Sequence, residues 1–405
     1  MVGIWLNHDD IFHLQDEKRE HFECLKQFGF TDAFVLIKGC KYDHGSMSEK
    51  HAWLNSVFCS LRRQSIRVHG VFYCSEDWQY AEMYPDKTDV TILGKYSKRR
   101  ISHISSHYVD YLVNSIVTAT REYELDGIQL DFVRYGVIGN GWSQEEENVY
   151  NSFGVDVPKL KGEILARYDE SKPDCNVDPI LKRYTQNDEQ LIALATGRRS
   201  IISGFLHTVT DRIHNELPGR ELSAAVMPET LYNPWRYKAD LHYGQDFEDF
   251  VHHVDRLFPM VYTGTFNMSS EWAGKVAKNA IECLPKTVIG IDCIEPKTNA
   301  GICADIKAIQ GQKKTDLCFF RYGRMVLAVR EGHNTILYNT YPGTVTQLIL
   351  NDGKKELKKE CEVKSGSCIC VPGHWEYIRA FGSFTIDKDH QYDGELCVLE
   401  KERVQ

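Results

Sequence analysis

The sequence predicts an α/β protein: a (β/α)8 TIM barrel with a long insertion after its fourth strand and a small C-terminal antiparallel β domain. Short β-branched, apolar segments alternate with amphipathic helical segments through residues 1–330, eight strand segments of this kind occur, and the helical period disappears after Arg324. Strands separated by helices form parallel sheets, and eight such units favour closure into a barrel. An open doubly wound sheet is the alternative. The only glycine cluster, GVIGNG at 136–141, lacks the strand-to-helix setting of a dinucleotide loop.

The helical stretches before the fourth and fifth strands have the period of amphipathic helices. One face of the first carries Val109, Leu112, Val113, Ile116 and Ala119, and one face of the second carries Ile202, Phe205, Leu206, Val209 and Ile213. The predicted strands are Gly3–Leu6, Ala33–Ile37, Arg67–Tyr73, Gly127–Asp131, Leu222–Met227, Arg256–Tyr262, Thr287–Asp292 and Leu317–Tyr322.

Two regions fall outside the alternation. The connection between the fourth and fifth strands is much longer than the others, and residues 137–186 form an irregular, charged segment, predicted to be a lid or substrate-contacting insertion. Residues 1–330 form the predicted catalytic domain. From about 333 onward the strand-like segments NTILYN, VTQLIL, EYIRAF and ELCVLE predict that 331–405 is a separate β domain.

Composition excludes several functional classes. The chain has 405 residues and a formal charge of −9, so nucleic acid is not an expected partner, and the basic run KYSKRR at 95–100 is interpreted as the solvated start of a helix. No segment approaches the apolar length of a membrane span. Thirteen cysteines without metal-site spacing indicate reduced thiols, and no cofactor is expected. The protein is predicted to be cytoplasmic, with export after removal of a leader as the alternative; its oligomeric state is left open.

Active sites of such barrels lie at the carboxyl ends of the strands. Three strand ends present carboxylates, at Asp131, Glu229 and Asp292. Hydrolysis of a glycosidic bond requires this inventory, because one carboxylic acid protonates the leaving oxygen while an ionised carboxylate acts as nucleophile or as base for water. The three residues are therefore the predicted catalytic set.

Strand parity places Gln129 and Asp131 inside the barrel, above Gly127, while Ile128 and Leu130 face the helices. Arg134 follows three residues later and is a predicted partner that holds Asp131 ionised. The structural alternatives are a salt bridge between Asp131 and Arg134, and a Glu229 that only begins a helix.

Further polar and aromatic side chains at the strand ends suit sugar hydroxyls and sugar ring faces. Strand three is followed by Glu76 and Asp77, which are not assigned a role. A metal site at His8–Asp10 is the less favoured interpretation of that cluster. The predicted substrate-binding residues are Asn7, His8, Asp9, Trp78, Gln129, Arg134, Tyr135, Trp235 and Tyr262.

The segment LDGIQLDFVRY at 125–135 resembles the DGI-x-x-D-x-x-R-Y stretch of hypothetical glycosyl hydrolase-like TIM-barrel families, which are distantly similar to the alpha-amylase superfamily. ELSAAVMPE at 221–229, VDRLFPMVY at 254–262 and the opening GIWL are similar to other strands of those families. The resemblance implies a strand-four carboxylate, a strand-five acid/base and a third acid that stabilises the transition state, which fall on Asp131, Glu229 and Asp292. Gln129 stands where amylase-like enzymes place Arg.

The expected function is cleavage of glycosidic bonds in an oligo- or polysaccharide, with Asp131 as nucleophile or base and Glu229 as general acid. Two alternatives remain open at this point. One is a catalytically silent barrel that only binds carbohydrate, and the other is a metal-dependent hydrolase that uses the His8–Asp10 cluster.

Overall fold

The computed structural model describes residues 1–7, 22, 25–38, 47–172, 176–283, 286–294, 297–311, 314–385 and 391–404. Eight parallel strands form one sheet in the order β8-β7-β6-β3-β2-β1-β10-β9. All eight predicted barrel strands are confirmed, although the sixth ends three residues early, at Pro259. These strands are β1 (Val2–Leu6), β2 (Asp32–Lys38), β3 (Arg67–Tyr73), β6 (Gly127–Asp131), β7 (Glu221–Val226), β8 (Arg256–Pro259), β9 (Val288–Asp292) and β10 (Asp316–Phe320).

The sheet curls so that its two outer strands, β8 and β9, meet. A parallel bridge joins Met260 to Gly290, and the amide of Val261 donates to the carbonyl of Gly290 at 2.9 Å. The open doubly wound alternative is therefore wrong, because such a sheet leaves its outer strands apart.

Bulky side chains fill the barrel interior. Trp5, Phe34 and Phe258 make tilted and edge-to-face ring contacts across it, as aromatic rings prefer. Gln129 is fully buried and its Oε1 accepts a hydrogen bond from Trp5 Nε1 at 2.5 Å, which agrees with the predicted parity of β6. Gly127 leaves room for His69, since a Cβ at residue 127 would lie 2.4 Å from His69 Nδ1.

Helices surround the barrel and bury their apolar faces against it. The two helical faces predicted before the fourth and fifth strands are buried as expected. The α-helices are Met47–Arg63, Trp78–Met83, Ser106–Glu122, Gln144–Ser152, Val157–Leu165, Asp178–Leu181, Glu189–Glu216, Arg236–Lys238, Phe247–Phe250, Thr263–Phe266, Ser270–Cys283, Asn299–Gln310 and Lys401–Val404.

Two local predictions are wrong. The basic run at 95–100 is not a helix start: Tyr96–Ile101 is strand β5, which pairs antiparallel with β4 (Thr88–Val90). The insertion after β6 is not irregular, because it contains three short α-helices, the first of which begins with a capping box between Ser143 and Glu146.

The insertion is fastened to the barrel by a buried arginine. Arg198, on the long helix before β7, is fully buried and donates to the carbonyls of Asn140 at 2.8 Å and Val137 at 3.3 Å. Its guanidinium also lies 4.1 Å from the centroid of the Tyr135 ring. The start of the insertion is thus part of the packed protein.

The C-terminal segment forms two four-stranded sheets, as the strand-like segments predict, beginning with β11 (Val326–Glu331). Pairing is antiparallel except between β11 and β18. Tyr341, Trp375 and Phe384 belong to the separate apolar core between these sheets. The remaining strands are β12 (Asn334–Asn339), β13 (Gly343–Asn351), β14 (Glu356–Lys364), β15 (Cys368–Pro372), β16 (Tyr377–Thr385), β17 (Gln391–Leu396) and β18 (Val398–Glu400).

Candidate active site

Asp131 is the last residue of β6, which lies between β3 and β7 in the barrel. Its Oδ1 accepts a hydrogen bond from the amide of Phe132 at 2.7 Å. Burial, with a smaller contribution from the charge of Glu76, raises the pKa of Asp131 to about 6, although Arg134 and the Phe132 amide act to lower it. The pKa of this carboxyl is therefore set close to neutrality, the range in which acid–base groups work.

The turn after Asp131 is held by residues from the neighbouring strand end. Phe132 adopts a left-handed φ of 55°, which is uncommon for a bulky side chain. The hydroxyl of Ser75 donates to the carbonyl of Phe132, and it also lies 2.6 Å from Nε2 of the buried His103. Burial lowers the pKa of His103 to about 3, so its ring is neutral at neutral pH.

Glu229 lies in the 3-10 turn Pro228–Leu231 that follows β7, the strand next to β6. It is only 3 % exposed, and its Oε1 accepts a long hydrogen bond from the Tyr243 hydroxyl at 3.4 Å. Oε2 has no hydrogen-bond partner in the described part of the chain. Burial raises the pKa of Glu229, although Arg134 and Lys238 act to lower it. Such an environment favours the protonated carboxyl.

A single glutamine ties the two strand ends together. Gln245 is fully buried; its Oε1 accepts from the amide of Met227 at 2.8 Å, and its Nε2 donates to the carbonyl of Val133 at 3.2 Å. The same segment begins with the π-helical turn Ala239–Tyr243, and the carbonyl of Tyr243 accepts from the amide of Tyr135 at 3.0 Å. These bonds fix the backbone after β6 relative to the backbone after β7.

Arg134 does not form the predicted salt bridge with Asp131. Within the described ranges its side chain makes no ion pair; the guanidinium lies 4.5 Å from the Phe132 ring centroid and 5.3 Å from that of Tyr243. Stacking on these two rings keeps it out of bonding distance of the carboxylate. Its charge nevertheless lowers the pKa of both Asp131 and Glu229, which places it near both groups.

Asp292 ends β9 and is 1 % exposed. Lys297 Nζ lies 3.3 Å from its Oδ1, and Oδ2 accepts from the amide of Thr265 at 3.1 Å. Lys297 also forms an ion pair with Asp305. Both oxygens of Asp292 are thus engaged by protein groups that connect the loops after β8 and β9, and its catalytic role stays a prediction.

Three of the predicted sugar-contacting aromatic residues are half-buried at strand ends. The Tyr262 ring stacks on Phe320 with centroids 5.4 Å apart, and burial together with the charges of Asp131 and Asp292 raises its pKa. Trp235 lies 5.9 Å from Trp272, between ring centroids. Trp78 begins a helix after β3, with the guanidinium of Arg99 at 6.0 Å from its ring.

The other predicted binding residues differ in where they lie. Tyr135 is 1 % exposed and donates its hydroxyl to Glu146 at 2.7 Å, so its polar atom is committed to the insertion and we do not include it in the site. Asn7 follows β1 and is half-buried. Gln129 has a buried Nε2 without a partner in the described part of the chain. His8 and Asp9 lie outside the described residues.

Sequence reasoning gave no role to Glu76 and Arg100, which the structure brings to the site. Arg100 Nη2 pairs with Glu76 Oε1 at 2.8 Å, and its guanidinium lies 5.8 Å from the Phe132 ring. The position of Glu76 just after β3 was the available signal. Arg100 had none, because it reaches the site only when β5 pairs with the segment after β3, through the antiparallel bridge between Arg100 and Glu76.

No group of three or more metal-binding side chains occurs among the residues described, although the His8–Asp10 cluster is not one of them. None of the described helices has the length and hydropathy needed to cross a bilayer.

No family model matches the chain, and no curated protein matches it in sequence. Solved structures do match. The β-galactosidase of the psychrophilic Marinomonas ef1 matches with a TM-score of 0.54 at 11 % identity. The match covers 80 % of this chain and 54 % of the β-galactosidase chain. The β-galactosidase of Bacillus circulans has a TM-score of 0.53 at 12 % identity, covering 82 % and 50 %. That of Halorubrum lacusprofundi also scores 0.53, at 12 % identity, covering 80 % and 53 %.

The chain has a glycoside hydrolase-like barrel fold. It spans about half the length of each of these β-galactosidases. At such low identity the similarity establishes the fold alone. It does not show a relationship to the alpha-amylase superfamily. Chemistry must be argued from the site itself.

Proposed function

We propose that this protein hydrolyses a glycosidic bond in an oligo- or polysaccharide, with Asp131 as nucleophile or base and Glu229 as general acid. Gln129, Arg134, Trp78, Trp235 and Tyr262 bind the sugar. Asp292 remains a candidate third acid through its position at the end of β9. No cofactor takes part.

The observation that carries the proposal is the pair of carboxyl groups at the ends of adjacent strands, β6 and β7, with unequal environments. Asp131 has a pKa near 6 and is mostly ionised at pH 7. Glu229 is more deeply buried, has a raised pKa, and keeps Oε2 without a partner among the described residues. Pairs of carboxyls whose environments differ in this way divide acid and base roles.

In the proposed reaction the protonated Glu229 gives its proton to the glycosidic oxygen as the bond to the anomeric carbon breaks. The ionised Asp131 either attacks the anomeric carbon directly or removes a proton from the water that attacks it. Buried polar atoms without a partner are rare in proteins. Gln129 Nε2 and Glu229 Oε2, which have no hydrogen-bond partner among the described residues, are suited to bonding with substrate.

The test is hydrolysis of a panel of aryl glycosides and oligosaccharides by the wild type, Asp131→Asn and Glu229→Gln. We expect turnover to fall by about 10²–10⁴ in each variant, because each loses one acid–base group. Glu229→Gln should be affected less on 2,4-dinitrophenyl glycosides, whose leaving group needs little protonation. Wild-type activity retained in both variants would overturn the proposal.

A catalytically silent carbohydrate-binding barrel is the second candidate, and the engagement of Asp292 by Lys297 and Thr265 favours it, since the third acid then has no free oxygen. Binding of glycans in calorimetry, with no release of reducing ends from any substrate of the panel, is the result expected of such a protein.

A further inference from the structure

Two cationic side chains, Arg134 and Lys238, lie near the Glu229 carboxyl. Arg134 lies over the Phe132 and Tyr243 rings, and Lys238 Nζ lies 5.7 Å from the centroid of the Trp235 ring. Neither forms an ion pair anywhere in the ranges that the structure describes. Both are half-buried, and both act on the Glu229 carboxyl.

Two of the described anionic groups near these cations already have an ion-pair partner. Asp178, which is near Lys238, pairs with Lys182 at 2.7 Å. Glu76, which is near Asp131, pairs with Arg100 at 2.8 Å. Among the residues that the structure describes, Asp131 and Glu229 remain, and a general acid must hold its proton. Within this described set, two cations then face one carboxylate.

Counted over the described residues, the site has a local excess of positive charge, although the chain as a whole has a net charge of −9. Cations stacked on aromatic rings are favourably placed but retain free N–H donors. Arg134 Nη1 donates a weak bond to the Tyr135 carbonyl at 3.4 Å, and its other side-chain donors have no hydrogen-bond partner among the described residues. A guanidinium with free donors is a good partner for a carboxylate or sulfate group.

We propose that the sugar bound at this site is acidic, carrying a carboxylate or sulfate group that Arg134 and Lys238 recognise together. This inference rests on the proposed function for the position of the sugar between Asp131 and Glu229. The rings of Tyr243 and Trp235, on which the two cations lie, form the wall against which the charged sugar packs.

The experiment compares kcat/KM within matched pairs of 4-nitrophenyl glycosides, in both anomers: glucuronide against glucoside, galacturonide against galactoside, and galactoside 6-sulfate against galactoside. In at least one pair the acidic member should be hydrolysed about 10-fold or more faster, the size of effect that a charge-assisted hydrogen bond gives. The pair that shows the preference distinguishes carboxylate from sulfate.

Arg134→Gln and Lys238→Gln should each reduce that acidic-to-neutral ratio by about 10-fold. Lys364→Gln removes one cation from an exposed position on β14 and is the matched control; it should leave the ratio unchanged. Ratios equal to or below one in every pair, or a ratio that does not respond to the two site variants, would overturn the inference.

Calorimetry with free glucuronate, galacturonate, galactose 6-sulfate and the neutral sugars separates this inference from the proposed function. Tighter binding of an acidic sugar without hydrolysis of any glycoside would support the acidic ligand and contradict the hydrolase. Hydrolysis of neutral glycosides alone would support the hydrolase and contradict the acidic ligand. No binding and no hydrolysis would contradict both.

Discussion

At the scale of single residues, the ionised form of Asp131 lowers the stability of the folded state. Its pKa is about 6 in the folded protein and near 3.8 in an unfolded chain, so the folded state binds a proton more tightly. Stability then falls as pH rises between these two values. A purely structural carboxylate usually shows the opposite shift.

We therefore expect Asp131→Asn to be more stable than the wild type at pH 7–8, by about 1–3 kcal/mol, because the variant has no charge to bury. The advantage should shrink as pH falls through 6 and disappear near pH 4. Denaturant unfolding of both proteins across pH 4–8 measures it. A variant that is less stable at pH 8 would show that the ionised Asp131 stabilises the fold.

Arg134 lowers the pKa of both candidate catalytic carboxyls, so its removal should act on both. In the proposed mechanism the acidic limb of the kcat/KM profile reports Asp131 and the alkaline limb reports Glu229. We expect Arg134→Gln to move both limbs to higher pH. Arg121→Gln, at an exposed ion pair with Glu216, is the control. Movement of one limb alone would mean that Arg134 acts on a single carboxyl.

At the scale of elements, the barrel was predictable because its signal is local. Each strand is a short apolar segment bounded by polar residues, and each helix shows its own period, so neither depends on distant partners. The insertion and the 95–101 segment were mispredicted for the opposite reason. Tyr96–Ile101 is a strand because Thr88–Val90 and the segment after β3 pair with it, and the start of the insertion is held by the buried Arg198.

Only part of the candidate site could be predicted from the sequence. Asp131 and Glu229 are candidates because each stands at or just after a predicted strand end, and strand parity also places Asp131 inside the barrel. The groups that position them come from elsewhere in the chain: Ser75 after β3, Tyr243 at the end of the π-helical turn, and Gln245 just after that turn. No periodicity marks these residues, since their role exists only once the strands are side by side.

Among the contacts between elements, we expect the two hydrogen bonds of Gln245 to matter most for the stability and activity of the site. Gln245→Leu leaves the Met227 amide and the Val133 carbonyl without their buried partner, which should lower the free energy of unfolding by about 1–3 kcal/mol and reduce turnover by loosening the two strand ends. Chemical denaturation and kcat on the best substrate of the panel measure these effects.

The control is Gln190→Leu. Gln190 also bridges two backbone groups, the Asp156 amide at 2.6 Å and the Gly154 carbonyl at 3.2 Å, but in an exposed setting in which water can replace the amide. Gln190→Leu should change the free energy of unfolding and kcat only slightly. Equal effects of the two variants would show that the hydrogen bonds of Gln245 are not specifically important for the site.

At the scale of the whole molecule, the charged groups at the two ends of the barrel are arranged differently. Among the described residues, the carboxyl ends hold charges without an ion-pair partner, such as Arg134, whereas the amino ends are joined by ion pairs. Arg256, at the start of β8, contacts Glu221 of β7 and Asp316 of β10. Arg67, at the start of β3, contacts Glu221 and Asp32. The ion pairs therefore link strands around the amino end.

Asp32 is the most buried acid of this network and gives the clearest prediction. Burial acts to raise its pKa, but hydrogen bonds from His69 and Thr31 and the charge of Arg67 outweigh it, so the pKa is lowered below 3.8. A lowered folded-state pKa gives stability that is fully present above the unfolded value and is lost as pH falls through the folded value.

Asp32→Asn should therefore lower the free energy of unfolding by about 1–3 kcal/mol at pH 7, and the difference from the wild type should close below pH 4 as the wild-type carboxyl becomes protonated. Denaturant unfolding at pH 7 and pH 3 measures it. Asp352→Asn is the matched control, because Asp352 lies in an exposed turn where backbone amides also lower its pKa. It should lower the free energy of unfolding only slightly.

Because Asp32 is only 3 % exposed, 0.5 M salt should leave most of the stability difference between Asp32→Asn and the wild type intact. A difference abolished by salt would mean that Asp32 and its partners interact through solvent.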